Sequence, residues 1–503
     1  MGTEKSAGTA DPPMQYGFLI DHDACIGCHA CTVACKAENS VPVGNFRTSV
    51  KYIEKGRYPD VRRHFAVLRC NHCTDAPCVK ICPVNALEKR ADGIVDIDRD
   101  ACIGCRACMQ ACPYDAIYLN EDLGAVEKCH FCAHKVERGL EPACVTVCPV
   151  GAIIPGDLQD PQSRIAQMVA ANDTLVRRPE QNTRPNVHYK GIAPEALAPG
   201  EPSRPPMYLW SDRPRHKSEP WPISLPVLED TRVALDYGHR VEWGWPVALY
   251  LVTKGIAGGA AMLAPFAGAL GMGAQAGRWL PEILALVFTL VTTALLIEDL
   301  TRPHRFYRLL TRPNWNSWLV KGGIVLGAFG AVTSAVLGLR LLGWEAAADV
   351  LRWPNALLGV AAAGYTAFLF GQCEGRDLWQ SKWLGPHLIA QAVLCGAVCL
   401  APFTVTHGPI VGVIAIAALA HAAMSLVERY RQHHTANARQ AAAFLASLKL
   451  GPLRPFRDGL IIGVGLTIVI SLVAPEPAFI AALVGLYLYE WAFVRAGQLP
   501  PLS

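Results

Sequence analysis

The chain has 503 residues, with 46 Lys and Arg against 42 Asp and Glu for a formal charge of +4, 51% hydrophobic residues and 19 cysteines. So small a charge on so long a chain argues against a nucleic-acid partner, and none is expected. A disulfide framework would suit a short secreted domain rather than this chain.

Residues 1–14 are expected to form a flexible N-terminus, and they contain neither a twin arginine nor an apolar export segment. Sixteen of the nineteen cysteines then gather in four quartets within the first 150 residues. The quartets are Cys25, Cys28, Cys31 and Cys35; Cys70, Cys73, Cys78 and Cys82; Cys102, Cys105, Cys108 and Cys112; and Cys129, Cys132, Cys144 and Cys148. In the first and third the spacing is C-x2-C-x2-C-x3-C, and the last three quartets each end on Cys-Pro. Such spacing turns three thiolates toward one 4Fe–4S cube and sends the fourth across to a neighbouring cube. Structural zinc would instead space two C-x2-C pairs apart. Four 4Fe–4S clusters are therefore expected.

The quartets also indicate how the domain is nested. Residues 23–35 nearly repeat at 100–112, and the second and fourth quartets share Pro/Ala-Cys-Val followed by Cys-Pro-Val. The simplest nesting pairs the second quartet with the third and encloses them between the first and fourth. The inner cubes would then be held by Cys70, Cys73, Cys78 with Cys112, and by Cys102, Cys105, Cys108 with Cys82. The outer cubes would use Cys25, Cys28, Cys31 with Cys148, and Cys129, Cys132, Cys144 with Cys35. Between them, Asp92-Gly93 followed by Ile94 to Ile97 reads as a short hairpin. His22, His29, His72, His130 and His134 flank the quartets, but cysteine already fills every cube position, so they are expected to tune the clusters or to be exposed.

This iron–sulfur domain is expected over 15–155. The stretch 156–245 is rich in proline and charge, with Pro202, Pro205, Pro206, Pro214, Pro220, Pro222 and Pro226. It shows little periodicity and reads as an extended connector. From 246 to 495 the chain is apolar and rich in Gly and Ala, as where membrane helices pack closely. Segments at about 246–270, 279–299, 318–342, 350–371, 384–404, 408–427, 458–475 and 476–495 are long enough, or nearly so, to cross a hydrocarbon core of ~30 Å. Residues 496–503 form a tail. Cys373, Cys395 and Cys399 lie in these apolar stretches and read as small buried hydrophobes.

Loop charge sets an expected orientation. The short loops and tail on the N-terminal side carry thirteen basic residues, among them Arg302, Arg305, Arg308, Arg312, Arg429 and Arg454, whereas the opposite side has Arg278, Arg340 and Arg352. Positive loops stay inside, so a multi-pass protein of the bacterial cytoplasmic membrane is expected, with its iron–sulfur domain on the cytoplasmic side.

Residues 15–200 resemble the four-cluster electron-transfer subunits of the complex iron–sulfur molybdoenzymes, which the sixteen cysteines carry. Residues 240–495 resemble the NrfD/polysulfide-reductase membrane subunit. That second likeness rests on Trp243-Gly244-Trp245 with Ala248-Leu249-Tyr250, on Asp299 to Pro303, and on Arg312-Pro313-Asn314 with Ser317-Trp318. The implied fold is an α+β ferredoxin-like domain, a nested pair of two-cluster units, fused to an all-α membrane domain of about eight transmembrane helices. The implied partner is a separate catalytic subunit carrying a molybdopterin or tungstopterin, with no catalytic residue for the primary substrate in this chain.

Cubes move single electrons, so the membrane end needs a lipid-soluble carrier of two electrons and two protons, namely a quinone such as menaquinone or ubiquinone. Ionisable groups inside lipid are costly and mark candidate sites. Lys254, Glu298, Asp299, Trp318, Lys321, Tyr365, Gln372, His387, His421 and Glu490 lie toward the N-terminal side of the spans. Of these, Lys254, Glu298, Tyr365 and His421 are expected to line the quinone pocket, while Lys321 is expected to reach the interface and Asp299 to pair with Arg302. Two alternatives are a redox-driven proton pump, and an anchor and wire without a quinone site. A reporter fused after Ser503 should read as cytoplasmic, since about eight spans return the chain to its starting side; a tail protected on the opposite face would mean an odd number of spans.

Overall fold

The computed structural model describes residues 14–203 and 230–503. They divide into two compact units, one of residues up to Cys102 with Ala111–Gly238 and Leu502–Ser503, the other of Ile103–Gln110 and His239–Pro501. Residues 1–13, where most of the flexible terminus was expected, lie outside the described residues, as do Pro205, Pro206, Pro214, Pro220, Pro222 and Pro226 of the expected connector.

In the first unit the longest sheet contains β1 (Tyr16–Asp21), β8 (Ile153–Asp157), β9 (Thr174–Leu175) and β10 (Val187–Lys190), in the order β8-β1-β10-β9. β1 runs parallel to β10 and antiparallel to β8. A second sheet orders β11 (Thr231–Leu235), β2 (Thr48–Arg57) and β3 (Asp60–Arg69). Two hairpins follow the inner quartets: β4 (Leu87–Lys89) with β5 (Val95–Ile97), and β6 (Ile117–Asn120) with β7 (Ala125–Lys128). The first is the hairpin expected at Asp92-Gly93, where Gly93 takes a φ of 79°. Phe18, Ile20, Val50, Phe131, Val187 and Tyr189 share one buried core, in which the Phe18 and Phe131 rings stack at 4.1 Å.

The expected connector needs correcting. Its described part supplies β9, β10, β11 and a helix at Arg164–Ala171, so the first unit runs well beyond residue 155. The reason is length. β10 has four residues, of which Val187 and Tyr189 face inward, and two inward side chains leave no periodicity to detect in a polar, proline-rich stretch.

The second unit contains eight helices long and apolar enough to cross a membrane: Trp245–Phe266, Ala274–Glu298, Trp318–Leu341, Glu345–Gly371, Leu384–Phe403, Gly408–Tyr430, Pro455–Val473 and Ala478–Gln498. These match the eight expected segments, and the protein is a multi-pass membrane protein. The first span is the most enclosed, with 94% of its central window buried. Small residues permit that burial. A Cβ on Gly259 would stand 1.8 Å from the Ala392 carbonyl oxygen, and one on Gly396 would stand 2.3 Å from the Gly259 carbonyl carbon. The seventh span includes a π-helical stretch at Ile461–Leu466, within which Gly463 meets Gly485 of the eighth span backbone to backbone. Such approaches let van der Waals contact hold helices together in lipid, where the hydrophobic effect does not.

Gly259→Val should therefore lower stability by about 1–3 kcal/mol by forcing the first and fifth spans apart. Gly327→Val, at a position where an added Cβ would meet nothing within 4 Å, should be near neutral. Thermal unfolding in detergent checks the pair, and equal stability of the two variants would contradict this packing.

Candidate functional site

The cysteines converge in the first unit as groups drawn from different quartets. One cavity is lined by Cys25, Cys28, Cys31 and Cys148, and a second by Cys35, Cys129, Cys132 and Cys144. Cys70, Cys73 and Cys112 are the thiol neighbours whose charge acts on Cys78. Cys82 has Cys102 as its thiol neighbour, while Cys105 and Cys108 lie on the loop that belongs to the second unit. Among the described residues no three His, Cys, Asp or Glu side chains form a group for a single metal ion. In a 4Fe–4S cube each thiolate binds its own iron, so its four donors stand wider apart than the donors of one ion.

Local backbone conformations aim these thiols. Gly27 and Gly104 occupy the same place in the repeated Ile-Gly-Cys and have φ of 67° and 72°, a region open to glycine without steric cost. A Cβ on Gly27 would also strike the Phe65 ring at 2.3 Å. Backbone N–H groups reach sulfur from Ala86 to Cys82 at 3.2 Å and from Ala152 to Cys148 at 3.3 Å. The cavities also adjoin one another, because Cys31 is an electrostatic neighbour of Cys144 and Cys129 of Cys70.

Charge in this region comes from arginine rather than histidine. Burial pushes the Cys35 thiol up to about 12, helped by Cys144 and Cys132, and pushes Cys112 up to about 11. Arg69 is buried and donates to Cys144 Sγ at 3.3 Å. Burial opposes its charge, but Cys144, Cys129 and Cys31 outweigh that and raise its pKa. Arg47 pairs with Glu127 at 3.0 Å beside Cys129. The flanking histidines behave oppositely: burial pushes His22 down to about 4 and His130 down to about 3, and holds His72 well below the imidazole range. They are neutral at physiological pH, and His72 Nδ1 accepts from Val95 N at 3.1 Å. The donor set therefore fits a cluster: converging buried thiols, N–H groups on sulfur, and fixed positive charge.

Within the second unit, the loop Ile103–Gln110 is tied to helix ends. Arg106 pairs with Asp299 at 2.8 Å, Trp243 Nε1 donates to the Cys105 carbonyl at 3.2 Å, and Gln110 bonds Gln498 at 3.0 Å. Asp299, expected to pair with Arg302, has Arg106 as its ion-pair partner here. Of the residues expected at the quinone pocket, Lys254 and Tyr365 come together, with the Lys254 ammonium 4.8 Å from the Tyr365 ring centre and bonded to Thr366 Oγ1. Glu490 is the charged neighbour of Lys254. His421 lies next to His387, their ring nitrogens 2.8 Å apart, and edge-on to Tyr489. Glu298 is exposed at the end of its span, and no hydrogen bond joins it to Lys254 among the described residues. Lys321 lies over the Trp318 ring at 4.9 Å. Cys395 and Cys373 are buried and Cys399 partly so, and Cys373 is an electrostatic neighbour of Cys105. Sequence reasoning missed Thr366, Gln391, Ser425 and Glu428; the first three are neutral and Glu428 stands near the end of its span, so none draws notice as a charge in lipid.

Comparison with known proteins agrees with both halves. Residues 16–37 match the 4Fe-4S binding domain and residues 61–158 the 4Fe-4S dicluster domain. Residues 235–499 match the polysulphide reductase NrfD family. The chain is 44% identical over 192 residues to one subunit of the tetrathionate reductase of Salmonella typhimurium, covering 37% of this chain and 77% of that protein. It is 42% identical over 217 residues to the iron-sulfur subunit of a putative dimethyl sulfoxide reductase of Halobacterium salinarum, covering 37% and 82%. With one component of the polysulfide reductase of Wolinella succinogenes it shares 40% identity over 176 residues, covering 34% and 92%.

Arg69→Met should shift the potential of a cluster held by Cys35, Cys129, Cys132 and Cys144 to more negative values, because the reduced cluster carries the extra negative charge. A redox titration followed by electron paramagnetic resonance measures this. An unchanged potential would contradict the role given to Arg69.

Proposed function

The protein belongs to the polysulphide reductase NrfD family and joins its membrane domain to a 4Fe–4S electron-transfer domain, and on that premise we propose that it conducts electrons between a catalytic subunit and the membrane quinone pool. Four 4Fe–4S clusters, held in the four groups set out above, would carry electrons singly between the two ends. The residues that follow bind, orient and neutralise around that path.

Two observations carry this reading: a sequence of neighbouring thiols in the first unit, and, within the second unit, the segment that bears Cys105 and Cys108. Cys31 is an electrostatic neighbour of Cys144 and Cys129 of Cys70, and Cys78 lies in the short helix Pro77–Ile81 that Cys82 follows. Cys82 adjoins Cys102, after which Cys105 and Cys108 lie on Ile103–Gln110. That loop is held against Trp243 and Asp299, at the membrane-unit end from which the first span leads inward to Lys254. Lys254, Thr366 and Tyr365 offer a buried ammonium, a hydroxyl and an aromatic wall, a set suited to a quinone headgroup. Glu298 has no part in it.

The relatives are named as components of tetrathionate, dimethyl sulfoxide and polysulfide reductases. By analogy the partner of this chain is the catalytic subunit of such an oxidoreductase, with a molybdopterin or tungstopterin as its site of substrate chemistry. The basic loops at 302–312 and 429–457 support placing the loop-rich end in the cytoplasm of a bacterial inner membrane.

Lys254→Met tests the pocket in the full chain. The clusters of the variant should still be reduced by dithionite, while their oxidation by a short-chain naphthoquinone should be lost. Wild-type oxidation in the variant would contradict the placement of the quinone at Lys254.

A further inference from the structure

Quinone chemistry moves protons as well as electrons, and the membrane unit holds a buried polar array in the neighbourhood of Lys254. Glu490 is an electrostatic neighbour of Lys254, beyond ion-pair distance, and interacts with the Gln391 side chain. Gln391 Nε2 lies 3.4 Å from both His387 Nε2 and His421 Nδ1, and those two nitrogens are 2.8 Å apart. Ser425 Oγ is 3.4 Å and 3.5 Å from the same pair. One turn further along the sixth span is Glu428, on the same face as Ser425. Its carboxylate accepts from Ser381 in the loop between the fourth and fifth spans and lies 3.8 Å from Arg431. Tyr489 neighbours both carboxylates. All of these side chains except Ser381 and Arg431 are buried.

Two features distinguish this array from structural hydrogen bonding. His421 Nε2 and Glu490 Oε2 are buried with no hydrogen-bond partner among the described residues, and an unsatisfied imidazole nitrogen and carboxylate oxygen in lipid are costly unless they exchange protons or bind water. The array also has only one direction to go. Beyond Tyr365 lies an apolar layer of Ala257, Ala261, Ala285, Leu326, Phe329 and Ala362. Past that layer no hydrogen bond among the described residues links the polar groups back to the array: Thr333 donates to Asn355 Oδ1 at 3.0 Å, Asn355 Nδ2 being without a partner among the described residues, and Arg352 pairs with Glu282 at 2.5 Å.

We propose that Glu490, Gln391, the His387–His421 pair, Ser425 and Glu428 form the proton route of the quinone site, opening at Glu428 and closed on the opposite face by the apolar layer. The proposal rests on the quinone reading above. Reduction of one quinone takes up two electrons and two protons and yields one quinol; oxidation returns the same. The electrons arrive from reduced 4Fe–4S clusters, and the protons enter or leave at Glu428. The Ile103–Gln110 loop meets the membrane unit at this same end, through the bond of Thr301 Oγ1 to the Gly104 carbonyl at 3.0 Å. Protons and electrons then share one face, and turnover carries no proton across the membrane.

The test uses the full-length chain, reduced with dithionite and mixed with a short-chain naphthoquinone. Oxidation rate is read from cluster absorbance, affinity for the naphthoquinone from tryptophan quenching, and proton uptake from a pH indicator. His421→Ala and Glu428→Gln should each slow oxidation and proton uptake about tenfold or more with affinity unchanged. Added imidazole should restore the His421→Ala rate, an effect that a purely structural histidine would not show. Asn355→Leu, beyond the apolar layer, should leave the rate at the wild-type value. Wild-type rates in both His421→Ala and Glu428→Gln overturn the route, as does slow oxidation that imidazole does not restore. A slowed Asn355→Leu with intact affinity overturns the closed face. If the wild-type chain neither binds nor is oxidised by naphthoquinone, the quinone reading falls and the route with it, a result distinct from binding without dependence on His421.

Discussion

Crowding thiols into a dry interior is the constraint on which the first unit depends. Burial pushes the Cys35 thiol up to about 12 and the Cys112 thiol up to about 11, and four thiolates cannot share a site without compensating positive charge. Iron supplies most of it when a cube is bound, so that cluster binding and folding are coupled in this unit. Arg69 and Arg47 supply fixed charge at the cavity of Cys35, Cys129, Cys132 and Cys144. The neutral histidines nearby do not add to it. The two hairpins that follow the inner quartets are short, three or four residues a strand, and one buried core, with Cys31 and Cys144 among its members, joins the larger sheets.

In the membrane unit the same cost of isolated charge governs a different arrangement. Each buried ionisable group has an assigned neighbour: Lys254 with Glu490, His387 with His421, Glu282 with Arg352, Glu428 with Ser381 and Arg431. On one side of Tyr365 these neighbours link into a path, and on the other side they close on themselves across an apolar layer.

Much of this was legible in the sequence, for identifiable reasons. Metal ligation imposes fixed spacing, so the quartets could be read directly; one cavity is lined by Cys25, Cys28, Cys31 and Cys148 and another by Cys35, Cys129, Cys132 and Cys144. Lipid imposes length and apolarity, so the eight spans could be read too. Four-residue β10 could not, because its signal is two side chains long. Glu298 shows a further limit. Sequence places a residue at a depth along a span but not around its circumference, and Glu298 lies on the exposed side while Glu490, from the last span, stands beside Lys254. Gln391 and Ser425 carry no charge and so leave no mark in an apolar run, yet they connect the charged groups that do.

On the function proposed above, one chain connects four single-electron carriers to a two-electron carrier in the membrane. Anaerobic titration of the fully reduced full-length chain with a short-chain naphthoquinone measures it directly. Four cubes each giving one electron should convert about two naphthoquinone molecules per chain, with cluster absorbance recovering in proportion. Clusters that stay reduced in excess naphthoquinone, or an end point at about one molecule per chain, would contradict the account.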